Sequence, residues 1–234
     1  MSTSSTHDNP NAPFADPQAV ASYPDRTRRL VPGWDDLQKM AGVLLAERAP
    51  PEARVLVVGA GGGAELRVFA QSQPNWRFVG VDPSEPMLQL AQATLGPLAA
   101  RVDFHQGYVH TAPAGPFDAA TCLLTLHFVP LDERLATLKA IRQRLAPGAP
   151  LVTAHLSFPL TPPEERAQWL ARYAAFAVAS GVDAEAAQRA ATAIDTALPL
   201  LSPDEEEVLL AQAGFSGIRL FYAGLAFRGW VAQA

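Results

Sequence analysis

Residues 55–66, with the sequence VLVVGAGGGAEL, pass from an apolar run into four glycines within five positions and then return to a helical pattern. A second apolar run, FVGVD at residues 78–82, ends on the carboxylate of Asp82. Glycine lets the backbone turn sharply and approach a ligand closely, because a Cβ atom would collide there. A carboxylate about twenty residues beyond the loop is placed to accept both hydroxyls of a ribose. The two runs therefore predict a nucleoside-bearing cofactor across the ends of two neighbouring parallel strands.

Strands and helices alternate along the chain outward from this loop. Five runs predict strands, at 55–58, 77–81, 101–105, 117–123 and 150–155, and helical patterns lie between most of them. Such alternation is typical of a parallel sheet that is covered on both faces. Two final strands, 217–223 and 225–232, are joined around Gly224 and predict a tight hairpin. The predicted fold is α/β, with a seven-stranded, mostly parallel sheet whose last strand is antiparallel.

Two segments depart from this alternation. Residues 1–13 are rich in Ser, Thr, Asn and Pro and predict a disordered N-terminus, which leaves 14–234 as a single domain. Within that domain, residues 162–198 hold two alanine-rich helical stretches with no strand between them. We interpret 157–200 as a helical insertion that caps the sheet.

Composition excludes several classes of protein. The 18 basic and 23 acidic residues give a net charge of −5 without a basic run, so no direct contact with DNA is expected. A single cysteine, Cys122, excludes an internal disulfide and a multi-cysteine metal site, and the histidines fit no metal motif. The polar start and the absence of a long apolar run predict a cytoplasmic protein with no membrane partner.

The glycine loop is compatible with two cofactors. Gly59-x-Gly61-x-x-Ala64 satisfies the dinucleotide fingerprint, so a nicotinamide cofactor is one alternative. Gly63 extends the loop to Gly-x-Gly-x-Gly, which is typical of S-adenosylmethionine sites. A whole helix also precedes the first strand, and the chain ends in a helix and a hairpin instead of a separate substrate domain. These features favour S-adenosylmethionine.

Seven stretches carry a resemblance to a known family: Tyr23–Asp25, Val31–Trp34, Val55–Gly63, Gly80–Leu88, Leu124–Pro130, Arg144–Gly148 and Gln212–Phe215. Across most of its length the chain resembles the class I S-adenosylmethionine-dependent methyltransferases, which have a Rossmann-like fold. Within them it is similar to the carboxy-S-adenosylmethionine synthase group, which supplies a carboxymethyl donor for tRNA wobble-uridine modification. The subgroup resemblance also implies a homodimer.

The resemblance implies a cofactor site. Its members would be Trp34, Gly59, Ala60, Gly61, Gly63, Asp82, Pro83, Met87, Tyr108, Val109 and Leu123. Backbone atoms of residues 59–61 would line the methionyl part, Asp82 would bind the ribose, and residues 108–109 would hold the adenine edge. Trp34 would cover the cofactor from the N-terminal side.

Several positions depart from the family pattern. Most relatives have an acidic residue at the position of Val57, and an adenine-side carboxylate is replaced by Tyr108. The synthase group's asparagine is Leu123 here, whose side chain cannot hydrogen-bond. Arg189 lies near the position of that group's carboxylate-gripping arginine and is a candidate for the substrate pocket. These departures weaken the synthase assignment more than they weaken cofactor binding.

The leading hypothesis is an S-adenosylmethionine-dependent methyltransferase that acts on a small-molecule acceptor. His127 is the candidate general base, because it follows the strand whose end faces the cofactor. No Asp/Asn-Pro-Pro-aromatic motif follows that strand, which favours a small molecule over DNA. The alternatives are a carboxy-S-adenosylmethionine synthase, which would use prephenate as carboxyl source, and a catalytically silent S-adenosylmethionine-binding protein.

Overall fold

The computed structural model describes residue 14 and residues 16–234, so the predicted disorder of residues 1–13 lies outside the described residues. The described strands form one sheet: β1 (Arg54–Val58), β2 (Arg77–Asp82), β3 (Val102–Gln106), β4 (Ala119–Leu123), β5 (Pro150–Leu156), β6 (Ser216–Gly224) and β7 (Phe227–Gln233). Their order is β3-β2-β1-β4-β5-β7-β6, and β7 runs antiparallel to both of its neighbours. The predicted seven-stranded sheet with a reversed last strand is confirmed.

Nine α-helices accompany the sheet in the described residues: α1 (Pro17–Ala21), α2 (Tyr23–Leu30), α3 (Trp34–Ala46), α4 (Ala64–Ser72), α5 (Glu85–Leu95), α6 (Leu131–Arg144), α7 (Pro163–Ala179), α8 (Ala184–Ala197) and α9 (Pro203–Gln212). Helices α1 and α2 come before α3, which is the helix that the sequence predicts ahead of the first strand. Within the described part of the chain, none of these helices combines the length and apolarity needed to cross a membrane.

Side chains of the central strand alternate between two apolar clusters. Val55 and Val57 of β1 pack on the face that α3 and α4 cover, while Leu56 and Val58 pack on the face of α6 and α9. All four are buried. Burial on both faces explains why the sequence of β1 is a continuous apolar run instead of an alternation of apolar and polar residues.

Helices α7 and α8 lie between β5 and α9, where the sequence indicates an insertion. Their buried residues, including Leu170, Tyr173, Ala187 and Ile194, belong to the cluster that also contains α3 and α4. The aromatic positions of α7 therefore contribute to the core of the domain. This packing extends the apolar core on the face of the sheet that α3 and α4 cover.

Short-range sequence features determine where α9 begins and where the C-terminal hairpin turns. Ser202 and Glu205 form a reciprocal capping box at the start of α9, with the Ser202 backbone N–H donating to Glu205 Oε2 over 2.8 Å. Residues 225–226 form the turn, and β7 then pairs with β5 along its whole length. The reversed strand is thereby inserted between β5 and β6.

Candidate active site

The glycine loop joins β1 to α4 at the edge of the sheet where the parallel strands end. Gly59, Gly61 and Gly63 all have positive φ, at 73°, 47° and 77°. A Cβ on Gly59 would lie 1.9 Å from Oγ1 of Thr125, and one on Gly63 would lie 2.8 Å from Cα of Ala91. Both backbone conformation and close packing therefore require glycine at these two positions.

Asp82 fixes the loop from the end of β2. Its Oδ2 accepts the Gly61 N–H over 2.9 Å, and its Oδ1 accepts the Ser84 N–H over 2.9 Å. The residue is 9% exposed, and its burial raises the pKa of the carboxyl while the two hydrogen bonds oppose that shift. An ionised carboxylate has about four acceptor positions, so two stay available for the hydroxyls of a ribose.

Met87 lies against the open side of the loop. A Cβ on Gly61 would lie 3.4 Å from Cε of Met87, which is itself buried. Ser84 caps α5 by accepting the Met87 N–H, with Pro83 between Asp82 and this cap. The glycine loop, Asp82 and Met87 together form a cradle at the ends of β1 and β2, where the sequence predicts the adenosyl group.

The segment after β3 approaches Asp82 from the other side. The Gly107 N–H donates to the Asp82 carbonyl over 3.0 Å. Val109 is buried, whereas Tyr108 is 57% exposed and stacks on His110 with ring centroids 5.7 Å apart. Tyr108 thus offers a ring face at the border of the site, and Val109 offers an apolar contact.

Leu123 ends β4 next to the glycine loop. The hydroxyl of Thr125 donates to the Leu123 carbonyl over 2.9 Å and occupies the space that a Gly59 side chain would need. Leu123 is buried, so its side chain provides packing and no polar contact. The ends of β1, β2 and β4 therefore meet where the sequence predicts a cofactor.

Trp34 lies at the start of α3 and is buried. It lines a cavity of about 590 Å³ together with Tyr23, Gln38 and Gly62. This cavity borders the outer side of the glycine loop, between α2, α3, α4 and α5. The guanidinium of Arg28 lies 4.7 Å from the centroid of the Trp34 ring.

Tyr23 covers the glycine loop, a contact that the sequence alone does not predict. A Cβ on Gly62 would lie 3.6 Å from Cδ1 of Tyr23. Burial raises the pKa of Tyr23 to about 12, and the charges of Glu65 and Asp82 act in the same direction. The Phe14 ring makes edge contacts with Tyr23 and Phe128, and the Phe14 carbonyl accepts the Ser84 hydroxyl.

Two predicted site residues lie apart from this cradle. His127 is buried, and its Nδ1 accepts the Leu156 N–H over 3.4 Å. Burial, followed by the charges of His155 and Arg134, lowers the pKa of His127 well below its usual value, so the ring is neutral at pH 7. Arg189 lies on the surface of α8 with its side chain 70% exposed, 3.5 Å from Oε2 of Glu185.

Comparison with known proteins agrees with the fold. A family model described as a methyltransferase domain matches residues 55–148. The carboxy-S-adenosyl-L-methionine synthase of Chromohalobacter salexigens is 30% identical over 223 residues, which cover 93% of this chain and 82% of that protein. The enzyme of the same name from Pseudomonas fluorescens is 29% identical, with 91% and 89% covered.

Solved structures show the same fold. Human N-acetylserotonin methyltransferase, in complex with S-adenosylmethionine, matches with a TM-score of 0.63 at 14% identity, covering 98% of this chain and 59% of its own. An O-methyltransferase family protein from Burkholderia thailandensis matches with a TM-score of 0.62 at 16% identity, covering 97% and 60%. This chain thus spans about three fifths of the length of these two proteins.

The fold and the cradle define an enzyme of the S-adenosylmethionine-dependent transferase class. The chain belongs to the S-adenosylmethionine-dependent methyltransferase family, whose cofactor is S-adenosylmethionine. Within that family it is similar to the carboxy-S-adenosyl-L-methionine synthases.

Proposed function

We propose that this protein transfers the methyl group of S-adenosylmethionine to a small-molecule acceptor. The sulfonium supplies the activated methyl group, so the protein has mainly to position donor and acceptor in line, which can contribute roughly 7–11 kcal/mol. Asp82 would hold the ribose, Gly61 and Met87 would flank the adenosyl group, and Leu123 would pack against the methionyl part. The buried surroundings of these residues would exclude water from the reacting atoms.

The position of Arg189 is the observation that carries this proposal over carboxy-transfer chemistry. A carboxy-S-adenosylmethionine synthase needs a cation that grips a second carboxylate, and the resemblance implies Arg189 for this role. Its side chain is instead largely exposed and faces Glu185 on the same helix. The apolar Leu123 at the end of β4 also supports methyl transfer, because its side chain cannot hydrogen-bond a polar substrate group.

A carboxy-S-adenosylmethionine synthase is the second candidate. It is favoured by the names of the relatives, which match this chain over most of both lengths. The cytoplasmic location and the homodimer stay predictions, and so does the third alternative, a cofactor-binding protein without turnover.

Mass spectrometry distinguishes the candidates directly. The purified protein is incubated with S-adenosylmethionine and prephenate, and the nucleoside released on denaturation is identified. We expect S-adenosylmethionine or S-adenosylhomocysteine, in the wild type and in Arg189→Gln alike. A carboxylated nucleoside that forms in the wild type and is lost in Arg189→Gln would establish the synthase reaction. Tight binding without turnover on any acceptor would support a silent protein.

His127 is expected to act as a positioning residue, and its titration provides a test. A neutral buried histidine with a lowered pKa stabilises the fold above pH 6.5, and this contribution is lost as the pH falls below the value of the unfolded chain. The unfolding free energy of the wild type should therefore fall relative to His127→Asn by up to about 1.4 kcal/mol per pH unit below pH 6.5.

Urea unfolding of both proteins between pH 4.5 and pH 7.5 measures this difference. A difference that does not vary with pH would mean that His127 titrates freely and is accessible. Asparagine preserves a hydrogen-bond acceptor for the Leu156 N–H, so methyl transfer by this variant should change less than tenfold. A loss of about 10²–10⁴-fold would instead assign general-base catalysis to His127.

A further inference from the structure

Glu65 is a buried carboxyl group directly behind the glycine loop. It lies in the first turn of α4, it is 7% exposed, and its Oε1 accepts the Thr121 hydroxyl over 3.3 Å. Among the described residues, no lysine, arginine or histidine nitrogen lies within 4.0 Å of its carboxylate. A carboxylate in such surroundings is costly to ionise unless a cation pairs with it.

The carboxyl of Glu65 lies near Val57, the position at which most relatives have an acidic residue. Val57 of β1 and Thr121 of β4 are partners in the sheet register, so their side chains lie on the same face. Because Glu65 hydrogen-bonds Thr121, its carboxyl lies on that face beside Val57. An acidic group is thus present beside position 57, but it comes from Glu65 of α4 instead of from β1.

The same carboxyl borders the cofactor cradle. Its partner Thr121 precedes Leu123 by two residues on β4, so the side chains of Thr121 and Leu123 lie on the same face of the sheet. Val57, the register partner of Thr121, lies two residues before Gly59 along the chain. The Glu65 carboxyl therefore lies next to the strand ends that lead into the cradle. A cation entering the cradle from the methionyl end would meet this carboxylate.

We propose that the carboxylate of Glu65 binds the ammonium group of the methionyl part of the cofactor. This inference rests on the S-adenosylmethionine site described above and concerns binding, not transfer. An ammonium is the better partner than the sulfonium, because its N–H groups donate charge-assisted hydrogen bonds to a carboxylate. A sulfonium has no such hydrogen.

The proton on Glu65 provides an independent readout. Burial raises the pKa of Glu65 to about 8 in the protein alone. The other titratable groups around it are Tyr23 from α2, Asp82 from β2 and Cys122 from β4, none of which is a cation. Glu65 is therefore mostly protonated at pH 7, and binding of an ammonium ionises it and releases the proton. Ligand affinity should rise with pH by up to about tenfold per unit until about pH 8.

Calorimetry with two ligands tests the assignment. S-adenosylhomocysteine carries the ammonium but no sulfonium, and 5′-methylthioadenosine lacks the amino acid altogether. Glu65→Gln should bind S-adenosylhomocysteine about tenfold or more weakly than the wild type, and 5′-methylthioadenosine equally well. Titrations at pH 7 in buffers of different ionisation enthalpy should show proton release in the wild type and none in the variant. Glu47→Gln, an exposed substitution after α3, is the matched control and should behave as the wild type.

Each other outcome has a distinct meaning. Unchanged affinity of Glu65→Gln for S-adenosylhomocysteine overturns the inference, and so does a loss confined to S-adenosylmethionine, which would assign Glu65 to the sulfonium. Binding of 5′-methylthioadenosine by the variant shows that it is folded. If neither ligand binds the wild type, the cofactor site itself is misplaced, and the inference fails with it.

Discussion

Glu206→Leu is expected to lower the free energy of unfolding by about 3–5 kcal/mol, because it leaves a buried guanidinium without its counter-charge. Arg134 and Glu206 are both fully buried, and Nη1 of Arg134 lies 2.9 Å from Oε1 of Glu206. A second guanidinium nitrogen, Nη2, donates to the carbonyls of Val129 and Pro199. The pair joins α6 to α9, so its loss weakens the packing of the face opposite the insertion.

His155 adds to this cluster from β5. Its Nε2 lies 2.9 Å from the same Glu206 oxygen, but without the alignment of a hydrogen bond. We regard the Arg134 contact, which satisfies both distance and geometry, as the one that determines the stability of the pair. His155 then packs beside it, near the Trp230 ring.

Urea denaturation of three variants measures the effect. Glu206→Leu should unfold at much lower denaturant, whereas Glu164→Gln, an exposed substitution on α7, should match the wild type. The double variant Arg134→Met with Glu206→Leu should recover most of the loss, since replacing a whole buried pair by apolar groups is often neutral or stabilising. A loss below about 1 kcal/mol in Glu206→Leu would contradict the expectation and show that water or another group compensates Arg134.

Asp82→Ala is expected to weaken binding of S-adenosylhomocysteine by about 10–150-fold. A hydrogen bond to a charged group contributes about 1.5–3 kcal/mol, and each 1.4 kcal/mol corresponds to a factor of ten. The substitution also removes the acceptors of the Gly61 and Ser84 N–H groups, so the loop loses the contacts that hold its conformation. Both effects act on the same ligand.

Isothermal titration calorimetry checks this value. Asp82→Asn keeps one acceptor oxygen and should lose less affinity than the alanine variant. Asp103→Ala, on the exposed side of the neighbouring strand β3, controls for the removal of a carboxylate. Unchanged affinity in Asp82→Ala would place the ribose elsewhere and would require a different cofactor orientation.

Local patterns predict the sheet, the glycine loop and the hairpin because their causes are local. The apolar run of β1, the backbone requirement at Gly59 and the Ser202 capping box each depend on a few neighbouring residues. Asp82 can also be recognised from the sequence, because the strand–helix–strand unit fixes the number of residues between the glycine loop and the end of the next strand. These features can be predicted from the sequence.

Other parts of the site depend on contacts between distant segments. Glu65 looks like an ordinary acidic residue in the first turn of a helix, where such residues are common. Only the fold shows that it is buried and reaches Thr121, which is 56 positions away along the chain. The exposure of Arg189 likewise depends on which face of α8 packs against the core. The sequence alone does not determine that packing.

The contacts of Phe14 connect the chain before α1 to the cofactor cradle. Asp82, whose carboxylate we propose to bind the ribose, is only 9% exposed. Ser84 donates its backbone N–H to Asp82 and its hydroxyl to the Phe14 carbonyl, and Phe14 in turn contacts Tyr23. We expect exchange of spent cofactor for fresh to require that these contacts open, in which case their opening rate would limit turnover independently of the chemical step.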